Sequence, residues 1–355
     1  MINFKNVVVI AKQKYIVKSC RKEAAEKTKG MPELSSSEKK AIDDVWNKYC
    51  KVDYNWFRFY KFSTGKFSPY YIPMEVFNAY ICRKLNNSDT LGRSHLEEKN
   101  YFDLIFSDVK RPSVVGRNIN DQYLDKNFNP LTEEELVSSC LQQEDLVVKT
   151  SWGSCQGIGV DVFLRTDDNF EDKVITSIKK HKRNFIVQNK VTQNSKMASL
   201  NKDSVNSIRL TTLLWEGDVK VLASHVRVGV AGNRVDNLHV PLGFVCGVDV
   251  KTGRFLSPGF DKENNPHKNL PNGMQIEGFE VPYFENIKEA SKRLHYRVAN
   301  TRIIGWDFTV DEEGNPILIE CNMGLPGNAF HQLTTGPIFG EGELFKDIMD
   351  YTFLK

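Results

Sequence analysis

One segment, "GWDFTVDEEGNPILIECN" (residues 305–322), limits what this chain can fold into more than any other. Trp306, Phe308 and Val310 alternate with Asp307 and Thr309. Further on, Ile317, Ile319 and Cys321 alternate with Leu318, Glu320 and Asn322. A period of two belongs to strands, and the run from Asp311 to Pro316 between them is rich in turn formers. Pairing Val310 with Ile317 across that turn sets Asp307 opposite Glu320, with Cβ atoms roughly 5 Å apart. Asn322 then shares the face of Glu320, opposite Gly305, which has no side chain to crowd it. Opposed carboxylates repel unless a cation lies between them. Oxygen donors without His or Cys on the same face of the hairpin, where the alternation turns Cys321 away, favour Mg²⁺ or Mn²⁺ over zinc. The hairpin therefore predicts a divalent-metal site made by Asp307, Glu320 and Asn322.

At 355 residues the chain is long enough for two or three domains. No apolar run approaches a membrane span, and "NVVVIA" near the start is too short for a secretion signal, so a cytoplasmic protein is expected. Seven cysteines, odd in number and without a C-x-x-C pair, suggest reduced thiols rather than a disulfide framework or a zinc site. Charge is uneven: residues 1–70 hold fifteen Lys/Arg against seven Asp/Glu, while the whole chain is only +3. Such a segment either meets an anionic surface, such as the inner face of a membrane, or is simply a solvated face. Nucleic acid is not an expected partner.

The pattern divides into three parts. Residues 1–95 read as a helical, basic, aromatic-rich lobe, with a capped amphipathic helix in "SSSEKKAIDDVWNKYC" striped by Ile42, Val45, Trp46 and Tyr49. Residues 96–203 read as α/β, with a capping box at Thr132 and Glu135 and a strand, glycine loop and strand in "DLVVKTSWGSCQGIGVDVFL". Residues 204–355 hold several alternating strands, then the helix "NIKEASKRLHYRVA", then the hairpin. The fold class expected is mixed, α+β to α/β.

The loop after Lys149 is neither a Walker loop nor a dinucleotide fingerprint, because no G-K-[ST] follows and the next element is a strand. A glycine loop between two strands can fold over phosphates and offer backbone N–H groups to them. Lys149, at the strand end, would supply compensating charge. With a carboxylate–amide site in the same chain, a nucleotide with Mg²⁺ becomes the better reading.

Taken in order, Lys99, Lys149 with its glycine loop, "FIVQNKV", "SVNSIR", "VDN", "GWDF" and "LIECN" resemble the ATP-grasp superfamily, and within it the sugar-transfer-associated group. The resemblance covers roughly residues 96–350 and implies two α+β lobes gripping ATP. It implies that Asp307, Glu320 and Asn322 bind Mg²⁺ (or Mn²⁺), and that Lys99 and Lys149 contact phosphate. Ser151, Trp152, Gly153, Ser154 and Gly157 would cover the phosphates, while Gln188, Asn189, Lys190 and Val191 meet the adenine edge. Arg302 and Arg209 would stabilise the transferring phosphoryl group, and Arg227 and Asn237 would line the acceptor side. The chain departs from the family after the adenine strand, where Gln188-Asn189-Lys190 stand and no acid appears until Asp203 to hold a ribose.

The activity implied is an ATP-dependent carboxylate–amine ligase acting through an acyl phosphate, on small or glycan-linked substrates, in surface polysaccharide or glycoconjugate biosynthesis such as that of a capsule. Two alternatives stand beside it. One is a sugar or hydroxyl kinase of the same fold, and the other a non-catalytic ATP-binding accessory that docks a glycosyltransferase through its basic lobe. All seven histidines lack metal spacing and are read as structural.

Overall fold

The computed structural model describes residues 4–86, 95–153, 159–235 and 243–354, leaving aside the side chains of residues 4–9. The helical lobe opens the chain with α1 (Phe4–Lys27), α2 (Ser36–Trp46) and α3 (Asn55–Thr64). Ser35 caps α2 reciprocally with Glu38: the Glu38 N–H donates to the serine hydroxyl at 3.2 Å, and the Ser35 N–H to the carboxylate at 2.9 Å. A second capping box starts helix Glu133–Leu141 at Thr132 and Glu135.

Two antiparallel sheets follow. The first has six strands in the order β3-β2-β1-β6-β4-β5, with β1 at Val114–Ile119, β2 at Gln122–Asp125, β3 at Pro130–Leu131, β4 at Leu146–Thr150, β5 at Val160–Phe163 and β6 at Phe185–Asn189. Helices Glu133–Leu141 and Phe170–His181 cover it through Leu136, Cys140, Val174 and Ile178. The second has seven strands in the order β11-β10-β9-β8-β7-β12-β13. These are β7 (Ser207–Trp215), β8 (Asp218–Val228), β9 (Phe244–Val248), β10 (Gly259–Asp261), β11 (Pro266–His267), β12 (Ile303–Val310) and β13 (Pro316–Asn322). The mixed fold class expected from the pattern is the one observed.

Alternation along the second sheet decides what covers each face. Ile208, Leu210, Trp306 and Phe308 face helix Phe284–Arg297 and bury one core with it. The opposite face changes character along each strand. Leu213, Trp215 and Ile303 are apolar there and pack against Trp46, Phe57, Phe59 and Tyr60 of the helical lobe and Phe345 and Ile348 near the carboxyl end. Arg209 and Asp307, on the same face, are polar and stay uncovered by that core. The helical lobe thus shares a core with the second sheet, and hydrogen bonds from Tyr49 to Asp350 (2.8 Å) and from the Ile72 N–H to Gln332 (2.7 Å) tie it to helices Glu343–Phe353 and Ala329–Thr335.

Three hairpins share one turn. In "DKNFN", "DKENN" and "DEEGN" the first Asp (125, 261, 311) accepts from the N–H and the side-chain amide of the Asn four residues on. The residue before that Asn has positive φ each time: Phe128 at 65°, Asn264 at 67° and Gly314 at 84°. Such a turn pairs Val310 with Pro316, one residue from the pairing expected, so the ladder starts out of register. A bulge at Ile319 restores it, and Asp307 still faces Glu320 while Gly305 faces Asn322. Among the described residues no helix is long and apolar enough to cross a membrane.

Candidate functional site

Four neighbouring strands carry one row of side chains. His225 on β8 is paired with Arg209 on β7, Arg209 with Asp307 on β12, and Asp307 with Glu320 on β13. The period of two puts Arg227 beside His225 and Asn322 beside Glu320 on the same face. The row lies in a cleft of about 850 Å³ between the two sheets, with Lys99, Lys149 and Gln188 on the wall of the first sheet.

The geometry relieves the opposed acids without any added cation. Arg209 grips Asp307 through Nε to Oδ1 and through Nη2 to Oδ2 at 2.6 Å, and Arg227 Nη2 stands 3.2 Å from Oδ2. Glu320 Oε1 is 3.0 Å from the Lys99 ammonium. Burial pushes the Asp307 carboxyl up, but the two guanidiniums outweigh it and hold the group below the usual carboxylate range. The repulsion that pointed to a divalent ion is therefore answered by the protein's own arginines and lysine. Two carboxylates and the Asn322 amide, with no sulfur or imidazole among them, still form a donor set suited to a hard cation. Among the described residues no cluster of three or more His, Cys, Asp or Glu is placed to hold a metal.

Lys149 differs from its neighbours. It is 7% exposed, and its ammonium has no hydrogen-bond or ion-pair partner among the described residues. Burial, and then Lys99, push its ammonium down to about 8, against the pull of Glu320. An unpaired charge so placed costs stability and calls for an anion. The turn that carries Lys99 is fastened to the first sheet by Arg117, which is fully buried, lies 2.7 Å from Asp103 and stacks 4.0 Å from the Phe128 ring. The Lys99 N–H donates to the Ser151 carbonyl at 3.1 Å, so turn and glycine loop are joined.

Other expected residues fall as follows. Gln188, Asn189, Lys190 and Val191 all line the cleft. Ser151 is buried, Trp152 is exposed and Gly153 has φ 74°. Ser154, Gly157 and Asn237 lie outside the described residues. Arg302 does not join the site: its guanidinium sits 5.6 Å from the Trp215 ring and 5.0 Å from that of Tyr351. It immediately precedes β12, four residues short of Trp306, and its cation is used against aromatic rings on the covered half of the face.

The sequence reading missed His225. The imidazole is 4% exposed and lines the cleft, with its Nδ1 3.2 Å from Nδ1 of His331, whose Nε2 is 2.7 Å from the Thr211 hydroxyl. Burial, followed by the nearby charges, keeps both imidazoles neutral. Its place two residues before Arg227 on an alternating strand was the available signal. Glu23, Lys27 and Phe59 of the helical lobe, which also line the cleft, carried no local signal.

The sequence model of one family, sugar-transfer associated ATP-grasp, matches residues 132–341, more than half of the chain. No curated protein is similar to it in sequence. Solved structures resemble it at low identity. The VanG D-Ala:D-Ser ligase from Enterococcus faecalis is 13% identical, over 74% of this chain and 62% of that one, with a TM-score of 0.46. D-alanine–D-alanine ligase from Bacillus anthracis is 14% identical over 73% and 67%, at 0.39. L-amino acid ligase from Bacillus licheniformis is 12% identical over 72% and 47%, also at 0.39. The chain thus spans less than two thirds of the length of the first of these, and under half of the last.

Proposed function

The chain belongs to the sugar-transfer associated ATP-grasp family, and from that premise we propose that it is an ATP-dependent ligase that activates a carboxylate as an acyl phosphate and joins it to an amine. The observation that carries the proposal is Lys149, a buried ammonium without a partner among the described residues, facing the row Arg209–Asp307–Glu320 across one cleft. ATP brings the anion that Lys149 lacks. Its phosphates also compete for Lys99 and Arg209, which now balance Glu320 and Asp307.

In this reading Gln188, Asn189, Lys190 and Val191 hold the base, and Ser151, Trp152 and Gly153 of the loop lie over the phosphates, with Ser154 and Gly157 in the same loop. Asp307, Glu320 and Asn322 would hold Mg²⁺, and a bound ion would supply neutralisation of phosphate charge. Arg209 and Arg227 stabilise the charge on the transferring group and on the carboxylate beside it. Ile319, pushed into the cleft wall by the bulge, gives the base an apolar contact. The protein's part is positioning and charge compensation, with no covalent intermediate on the chain. The substrates are small or glycan-linked carboxylates and amines of polysaccharide biosynthesis, and the cytoplasm is where ATP is at hand.

The test is product analysis. Purified protein with Mg²⁺, ATP and mixed carboxylates and amines should release ADP, free phosphate and an amide. A phosphoester product would replace ligase by kinase, and no ATP consumption across a broad panel would remove the proposal's support.

A further inference from the structure

The ligase reading leaves the helical lobe without a role, yet three of its residues line the cleft. Glu23 and Lys27 lie one turn apart on α1, with Lys27 Nζ 3.9 Å from the Glu23 carboxylate and 5.2 Å from the Phe59 ring centroid on α3. The β10–β11 turn contributes a second adjacent pair to the same cleft, Lys262 and Glu263, 3.4 Å apart. Arg209 and Arg227 are engaged by Asp307, and Arg234 is gripped by both oxygens of Asp167 at 2.5 Å. The Lys–Glu pairs are different. They are loose and partly exposed, with side-chain exposures of 27% and 54% at Lys27 and Glu23 and of 35% and 56% at Lys262 and Glu263.

Resting on the ligase reading, we propose that this wall is the acceptor subsite, and that the Glu23–Lys27 pair on the helical lobe selects a zwitterionic acceptor of the amino-acid or amino-sugar-acid class. The argument is one of charge matching. A ligand with one charge satisfies one member of such a pair and strips the other of its partner, whereas a ligand with both exchanges the pair for two new contacts. The neutral, buried His225 adds a ring nitrogen for a ligand hydroxyl or amine, because His331 occupies only its Nδ1. Exposed ion pairs contribute little to folding, so Glu23 and Lys27 can be exchanged without loss of the fold.

The experiment compares three probes of one size: the zwitterion 2-amino-2-deoxygluconate, the anion gluconate and the cation glucosamine. Each is titrated by ligand-observed NMR into the full chain saturated with a non-hydrolysable ATP analogue and Mg²⁺. The zwitterion should bind about tenfold more tightly than either of the others. Glu23→Gln should weaken the zwitterion and glucosamine severalfold and spare gluconate, and Lys27→Met should weaken the zwitterion and gluconate severalfold and spare glucosamine, both with unchanged affinity for the ATP analogue. Equal binding of the three probes, no binding of any, or variants that leave the preference intact would overturn the proposal. Failure of the ATP analogue to bind the parent chain would instead remove the ligase reading on which it rests.

Discussion

Arg209 stands directly across from Asp307 on the adjoining strand and holds both oxygens of a carboxylate that is only 1% exposed. A buried charge so gripped is a strong test of its partner. Removing Arg209 leaves Asp307 with Arg227 and a 3.4 Å hydrogen bond from the Asn322 amide, and breaking a buried pair in this way costs about 3–5 kcal/mol. Arg209→Met should therefore lower the urea midpoint sharply. The double variant Arg209→Met with Asp307→Leu should recover much of the loss, because it removes both charges. Recovery of nothing would mean that the pair does not hold the strands as described.

Lys149 predicts the opposite sign. Its charge is buried without a partner among the described residues, so Lys149→Met should leave thermal stability unchanged or raised while weakening an ATP analogue by about 10- to 100-fold, one to two steps of 1.4 kcal/mol. The native ammonium titrates near 8, below its value of about 10.4 in an unfolded chain. Affinity for the nucleotide should therefore fall as pH rises through about 8. Between 8 and 10.4 the unfolded chain binds the extra proton, so this group alone makes the fold more stable as pH rises there. Calorimetry across pH 7–9 reads the binding effect, and Lys149→Met should abolish it.

The buried His295 predicts acid sensitivity. Its Nε2 donates to the Thr301 carbonyl at 2.8 Å and its Nδ1 accepts from the Thr212 hydroxyl at 2.7 Å, which in turn accepts from the Trp306 indole at 2.7 Å. Burial pushes the imidazole down to about 4. Between about 6.5 and 4 the unfolded chain takes up a proton that the native chain refuses, so stability falls as pH drops through that window, by about 1.4 kcal/mol per unit from this residue. His225 and His331, also held neutral, add to the slope in the same direction. Denaturation at pH 7, 6 and 5 measures it, and His295→Gln should flatten it while lowering stability at pH 7 by about 1–3 kcal/mol through the broken chain of hydrogen bonds.

Arg302 supplies a negative prediction. With its guanidinium over Trp215 and Tyr351, Arg302→Met should leave ATP turnover within about twofold and cost about 0.5–1 kcal/mol of stability from the lost cation–π contacts. A loss of turnover comparable with that of Arg209→Met would place Arg302 in the chemistry after all.

The local signals in the chain were enough for its elements. Capping at Ser35 and Thr132, alternation along β7, β8 and β12, and the Asp-x-x-x-Asn turns are all contacts within a few residues, so the string of letters carries them. Asp307 facing Glu320 was legible for the same reason, since a strand period of two and a short loop leave few pairings. The bulge at Ile319 was not legible, because the turn sets one register, the sheet requires another, and only the assembled ladder shows where the difference is absorbed.

What only the tertiary structure decided is which groups meet across long separations in sequence. The partners of Asp307 come from β7 and β8, the partner of Glu320 from the turn at Lys99, and part of the cleft wall from α1, nearly 300 residues before the hairpin. No local rule fixes such contacts. They follow from burying the apolar half of one sheet face under the helical lobe, which leaves the polar half as the floor of the cleft. The alternation in the hairpin set its acids among few possible pairings; the assembled ladder opposed Asp307 to Glu320, and the fold determined that arginine and lysine would answer them.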